Sequence, residues 1–131
     1  MSRLVIESMR SKGFGRTVNI RSINDQAGQY GQANYAAAKS GIHGFTKALA
    51  QEAAVKGITV NVIAAGYVAT EMVRAVPAEV LEKIDAKIPE GRLGDANDIA
   101  RGVLFLVADE AVFFTGSTLS INGGPLYTSD A

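Results

Sequence analysis

Gly57-Ile-Thr-Val-Asn-Val-Ile-Ala-Ala-Gly66 decides the fold. Between the two glycines, Thr59 to Ala64 is β-branched and almost unbroken in apolar character. Such a run suits a strand buried on both faces, as in a parallel sheet covered by helices. Upstream, a long helix is predicted from near Asn34 to about Lys56, with Ala38, Ile42, Phe45 and Leu49 in one stripe and Gly57 as its stop. The Gly-, Gln-, Asn- and Asp-rich stretch before that helix reads as an exposed loop. Before the loop, Arg16-Thr-Val-Asn-Ile-Arg21 reads as a strand, with Val18 and Ile20 on one face. Met1, Leu4, Val5, Ser8 and Met9 recur at helical spacing, closed by Gly13 and Gly15.

Downstream of Gly66 the pattern gives two short helices, Thr70 to Ala75 and Ala78 to Lys87, divided by Pro77. Their apolar positions, Met72, Val73, Val80, Leu81, Ile84 and Ile88, would let them fold over a site as a lid. Asp95, with Asp98 three residues later, opens a helix through Leu106, of which Val103 to Val107 is expected to be core. Ser117 to Ile121 is a third strand, ended by a turn at Asn122-Gly123-Gly124. The order is strand, helix, strand, helices, strand, an α/β pattern with right-handed parallel crossovers. With three strands and an uncovered edge, it looks like the second half of a doubly wound sheet.

Composition narrows the function. Thirteen Lys and Arg balance thirteen Asp and Glu, which argues against a general nucleic-acid binder. With 47% hydrophobic and 20% charged residues, the chain is too apolar to be disordered. No cysteine is present, so disulfides, thiolate metal sites and a cysteine nucleophile are excluded. The longest apolar run, Val103 to Ala108, is too short to span a bilayer. Met1 to Lys12 lacks a signal-peptide core, so a cytoplasmic location is expected. His43 is the only histidine, and Glu79, Glu82 and Asp85 read as a solvated helix face, so no metal site is expected.

The chemistry-bearing residues are Ser22, Tyr35 and Lys39. Tyr35 and Lys39 lie four apart near a helix start, so both project from one face. A free tyrosine has a pKa of about 10, too high for efficient proton exchange at neutral pH. A nearby ammonium and the positive helix end favour the phenolate and lower that value. Ser22, at a strand end, can hydrogen-bond the same substrate oxygen. Together they could protonate a carbonyl oxygen while another group delivers hydride to its carbon. A Tyr-x-x-x-Lys pair is also common by chance on any helix, so the surrounding text matters.

Gly15-Arg-Thr-Val-Asn-Ile-Arg-Ser22 and Gly28-Gln-Tyr-Gly-Gln-Ala-Asn-Tyr35 through Glu52 resemble the short-chain dehydrogenase/reductase family. So do Gly57-Ile-Thr-Val-Asn61, Gly66-Tyr-Val-Ala-Thr70, Arg92-Leu-Gly94, Thr115-Gly116 and Asn122-Gly-Gly124. The resemblance covers nearly the whole chain and is strongest to its acetoacetyl-CoA and 3-oxoacyl-acyl-carrier-protein reductases. It implies a single partial domain over residues 1–131, the C-terminal half of a Rossmann-like parallel sheet. The implied reaction is NADPH- or NADH-dependent reduction of a 3-oxoacyl thioester. By the same resemblance, Ser22 would orient the carbonyl and Tyr35 would be the general acid. Lys39 would tune Tyr35 and hold the nicotinamide ribose. After Gly66, Val68 and Thr70 would meet the nicotinamide carboxamide and a nearby phosphate. Gln29, Gln32 and Tyr67 would face the acyl group, or are simply polar loop residues. Asn61 is expected to be structural.

Departures from the family pattern set the alternatives. None of the fourteen glycines has the Gly-x-x-x-Gly-x-Gly spacing of a dinucleotide loop, whose amides would meet a pyrophosphate. Arg21 stands where a small residue is usual, and alternation with Ser22 points it away from the site. Ala65 replaces a proline, which is expected to loosen the loop after Gly66. The chain is thus read either as the catalytic half of a reductase or as an inactive, self-associating remnant that needs a missing N-terminal half. A separate polypeptide supplying that half is the third possibility. Homo-oligomers are expected through the opening helix, the Tyr35 helix and the last strand.

Overall fold

The computed structural model describes residues 2–22 and 33–124. In chain order the elements are α1 (Ser2–Lys12), β1 (Gly15–Ser22), α2 (Ala33–Ala53), a 3₁₀ turn (Ala54–Lys56) and β2 (Ile58–Ala65). Then come α3 (Glu71–Arg74), α4 (Ala78–Asp85), α5 (Ala96–Val107) and β3 (Thr118–Ile121). The strands form one parallel sheet in the order β1-β2-β3. This is the α/β, partial Rossmann-like arrangement expected from the sequence.

β2 is central and buried on both faces, as its apolar run requires. Ile58, Val60, Val62 and Ile63 are each at most 1% exposed; fully burying such a side chain contributes about 1.5–3 kcal/mol. Ile58 and Val60 pack with Ile6, Ala50 and Ala53 of α1 and α2, with Met9 and Leu49 beside them. On the opposite face, α5 lies close because Gly102 has no side chain: a Cβ there would meet Ile121, Ile63 and Leu119. Parallel register puts Ile20 beside Ile63 and Leu119 on this second face, but Ile20 remains 59% exposed.

Two packing expectations are corrected. Among the described side chains of α2 the buried positions are Thr46, Ala50 and Ala53, while Phe45 is half exposed. Small residues let the helix approach the sheet, and the bulkier ring of Phe45 turns outward. On α5, Leu106 is buried but Leu104 and Phe105 are exposed. A three-stranded sheet covers only one stripe of that helix, so Val103 to Val107 is not uniformly core.

Helix ends follow local chemistry. Asp95 and Asp98 form the expected capping box at the start of α5. Gly57 ends the α2 segment in the left-handed conformation, at φ 71°. At the amino edge of the sheet, Arg16 donates to the carbonyls of Gly15 (3.0 Å), Gly57 (3.3 Å), Ala108 (3.4 Å) and Asp109 (3.3 Å). Its guanidinium also lies over the Phe14 ring, 4.5 Å from the centroid. Among the described residues, no helix is long and apolar enough to cross a membrane.

Candidate active site

The three strands end together. Ser22 pairs with Ala65, and Ala65 with Ile121, so the carboxyl edge is one rank of residues. In open α/β sheets, ligands bind in the crevice outside this edge. Ser22 is exposed there, as the last residue of β1. Arg21 is 8% exposed and one step along the alternation from Ser22. Asn19, two residues before Arg21, donates to Thr46 Oγ1 on α2 at 3.5 Å, so Arg21 belongs to the α2 face.

Tyr35 and Lys39 both lie in the first two turns of α2, the element that follows the Ser22 strand. The helix start agrees with the sequence reading. Gln29 and Gln32 lie outside the described residues.

β2 leads directly into the segment carrying Gly66, Tyr67, Val68 and Thr70. Its backbone is tied at every step. The Gly66 amide donates to Ile121 O at 2.8 Å, which joins the exits of β2 and β3. The Gly94 amide donates to Tyr67 O and the Ala69 amide to Gly94 O, each at 2.8 Å, forming a parallel bridge between Val68 and Gly94. Thr70 Oγ1 accepts from the Val73 amide at 3.3 Å and caps α3. The backbone after Ala65 is thus held by bonds to Ile121 and Gly94.

The turn after β3 completes the edge. Asn122 Oδ1 accepts from the Gly124 amide at 3.0 Å. Gly123 has φ 72°, and a Cβ there would lie 2.7 Å from Ile88 Cγ2. Its carbonyl accepts from the Glu90 amide at 3.0 Å, seating the end of the α3–α4 segment on the turn. Of the apolar positions of that segment, Ile88 is buried, while Met72 is 83% exposed.

Behind the Gly66–Thr70 loop is a cleft of about 180 Å³, lined among others by Tyr67, Val68, Arg92, Asp98, Ile121 and Asn122. It is below the range of about 300–1,000 Å³ usual for ligand pockets, and Ser22 does not line it. Its rim is ionic. Asp98 is held below the usual carboxylate range by the Asp95 amide first and by Arg92 second. Arg92 is shifted upward in turn, chiefly by its hydrogen bond to Asp98.

Two polar residues brace the sheet from either side. Asn61, fully buried, donates to Phe114 O at 2.8 Å and accepts from the Ser117 amide at 3.1 Å. It thereby sets the entry to β3, the structural role expected of it. His43 Nδ1 lies 3.2 Å from Thr118 Oγ1, joining α2 to β3. Burial, then Arg21 and Lys47, lower the pKa of His43. No group of three or more metal-ligating side chains is assembled among the described residues.

The donor set suits one end of a dinucleotide. An exposed strand-end hydroxyl and a pinned loop lie at a single carboxyl edge, the side on which open α/β sheets bind ligands. No glycine-rich turn of the pyrophosphate-binding kind occurs in the sequence. The residues present fit the nicotinamide end only.

A family model described as Enoyl-(Acyl carrier protein) reductase matches residues 1–125. The chain is 62% identical over 128 residues to an acetoacetyl-CoA reductase of Shinella zoogloeoides, covering 97% of this chain and 53% of the relative. An acetoacetyl-CoA reductase of Rhizobium meliloti is 59% identical, with the same coverage. The 3-oxoacyl-[acyl-carrier-protein] reductase of Escherichia coli is 49% identical over 124 residues, 95% of this chain and 51% of that protein. The chain spans about half the length of the curated relatives it matches.

Proposed function

The chain belongs to the short-chain dehydrogenase/reductase family, and from that membership we propose that it carries the proton-transfer half of a 3-oxoacyl thioester reductase using NADPH or NADH. The observation that carries this reading is the shared rank of Ser22, Ala65 and Ile121, with the Gly66–Thr70 loop leaving from the same edge. The identity to acetoacetyl-CoA reductases supports an acetoacetyl-CoA-like substrate. In this reading residues 1–131 act as one partial reductase domain in the cytoplasm.

The reduced nicotinamide, when bound, supplies hydride to C3 of the thioester. The chain's own residues handle the oxygen. Ser22 hydrogen-bonds the carbonyl, and Tyr35 gives its phenolic proton to the oxygen as the C=O π bond opens. One C–H and one O–H bond form, and Tyr35 is left as a phenolate to be reprotonated from solvent. Lys39 stabilises that phenolate electrostatically and holds the nicotinamide ribose. Gly66 lets the exit of β2 close against Asn122, and Val68 and Thr70 face the carboxamide. Gln29, Gln32 and Tyr67 face the acyl group.

A second reading has its own support. The sequence contains no dinucleotide glycine loop, and the match spans about half of each relative. In that reading residues 1–131 are inactive by themselves, and dinucleotide binding needs the other half of the fold. The exposed Leu4, Phe45 and Leu104 support self-association in either case.

Fluorescence titration with NADPH and NADH, followed by acetoacetyl-CoA with absorbance recording, separates the two. Saturable binding and turnover that Tyr35→Phe abolishes support the reductase. A folded protein that binds neither cofactor means that Ser22, Tyr35 and Lys39 are inherited but idle in this chain.

A further inference from the structure

Arg92 and Asp98 lie more than twenty residues beyond Thr70 in the sequence, yet they are joined to the edge loop by a short chain of bonds. The Asp98 carboxylate accepts from the Asp95 amide at 2.8 Å and from Arg92 Nη1 at 3.0 Å. Arg92 also donates Nε to Glu90 Oε1 at 2.9 Å and Nη1 to Leu93 O at 3.0 Å. One guanidinium therefore spans residues 90, 93 and 98 and shapes the bend between α4 and α5. Gly94 sits in that bend, and both of its backbone polar groups bond the loop, through Tyr67 O and the Ala69 amide. At the other end, Glu90 is seated on Gly123.

We propose that Arg92 and Asp98 are positioning residues, which hold Gly94 as the platform for the Val68–Thr70 loop and so set how that loop faces the nicotinamide. The identity of the ligand rests on the proposed function; the platform itself rests on the bonds just given. Exposed ion pairs are individually weak, and these two side chains are 51% and 28% exposed. Their effect here is geometric. A planar guanidinium with several fixed donors holds three points of a bend at once, which a lysine ammonium at the end of a flexible stem does less well. Because Gly94 bonds the loop on both sides, a shift of the bend is passed directly to Val68.

The test uses the whole chain as Arg92→Ala, Asp98→Asn, their double variant, and Arg92→Lys. Amide hydrogen exchange is read at Ala69 and Gly94, with Val60 and Val62 of β2 as references. Exchange at Ala69 and Gly94 should rise about three- to tenfold in each single variant, with the β2 amides unchanged. The double variant should be no faster than the singles, and Arg92→Lys should recover part of the protection. Unchanged exchange at Ala69 and Gly94, or an equal rise in β2, overturns the platform. NADPH titration is the second readout, and the affinity of Arg92→Ala should fall by a similar factor. Faster exchange with unaltered NADPH affinity overturns the positioning role. A parent chain that does not bind NADPH overturns the proposed function and the nicotinamide as the loop's ligand, while exchange alone then decides the platform.

Discussion

Gly66 and Asn122 touch backbone to backbone: a Cβ on Gly66 would lie 2.6 Å from Asn122 Cα. The exits of β2 and β3 are therefore sealed together by the absence of a side chain. Gly66→Ala should force the two turns apart and destabilise the fold by about 1–3 kcal/mol, the usual cost of overpacking. Urea unfolding measures this. A variant as stable as the parent would mean that the contact relaxes at no cost.

Tyr35→Phe keeps the ring and removes the proton. If Tyr35 is the general acid, turnover of acetoacetyl-CoA should drop by about 10²–10⁴-fold, with NADPH affinity nearly unchanged. Loss of affinity equal to the loss of turnover would assign Tyr35 to binding instead.

His43 should give the fold a pH dependence. Burial, then Arg21 and Lys47, hold its pKa below the ordinary 6.5. Above 6.5 it is neutral in both folded and unfolded chains. As pH falls below 6.5, the unfolded chain takes up the proton first, so stability declines until pH passes the lowered folded value. Replacing the residue, as in His43→Gln, should flatten that decline in urea unfolding between about pH 7 and pH 5. An unchanged slope would place the titration elsewhere.

Asn61→Ala removes two bonds that set the start of β3, one to Phe114 O and one from the Ser117 amide. Leaving those groups without their buried partner should cost about 2–4 kcal/mol. Exchange at the Ser117 amide should rise with the loss of stability. Protection retained at that amide would show that another acceptor replaces the Asn61 oxygen.

Much of this arrangement was legible in advance because local chemistry carried it. The β-branched run to Ala64 is the central strand, Gly57 stops the long helix, and Asp95 with Asp98 caps α5. What local pattern could not carry was contact at long range. The orientations of Phe45, Leu104 and Phe105 depend on how narrow the sheet is. The bridge from Val68 to Gly94 joins segments separated by two helices. Arg92-Leu-Gly94 was readable as a family signature, but its connection to the loop is visible only once Gly94 is placed. No periodicity marks a guanidinium that works through two carboxylates and one backbone carbonyl.

Arg16 divides the labour between the two ends of the sheet. Three carbonyl groups past the ends of α5 and the 3₁₀ turn, where partial negative charge collects, are gathered together with Gly15 O by one cation. That end is tied by one side chain, while the opposite edge is tied by separate backbone bonds at Gly66, Gly94 and Gly123. Substitutions that retune the loops beyond Ser22, Gly66 and Asn122 can therefore accumulate without disturbing the opposite end. The amino end of the sheet thus rests on one arginine set apart from the loops at the other end.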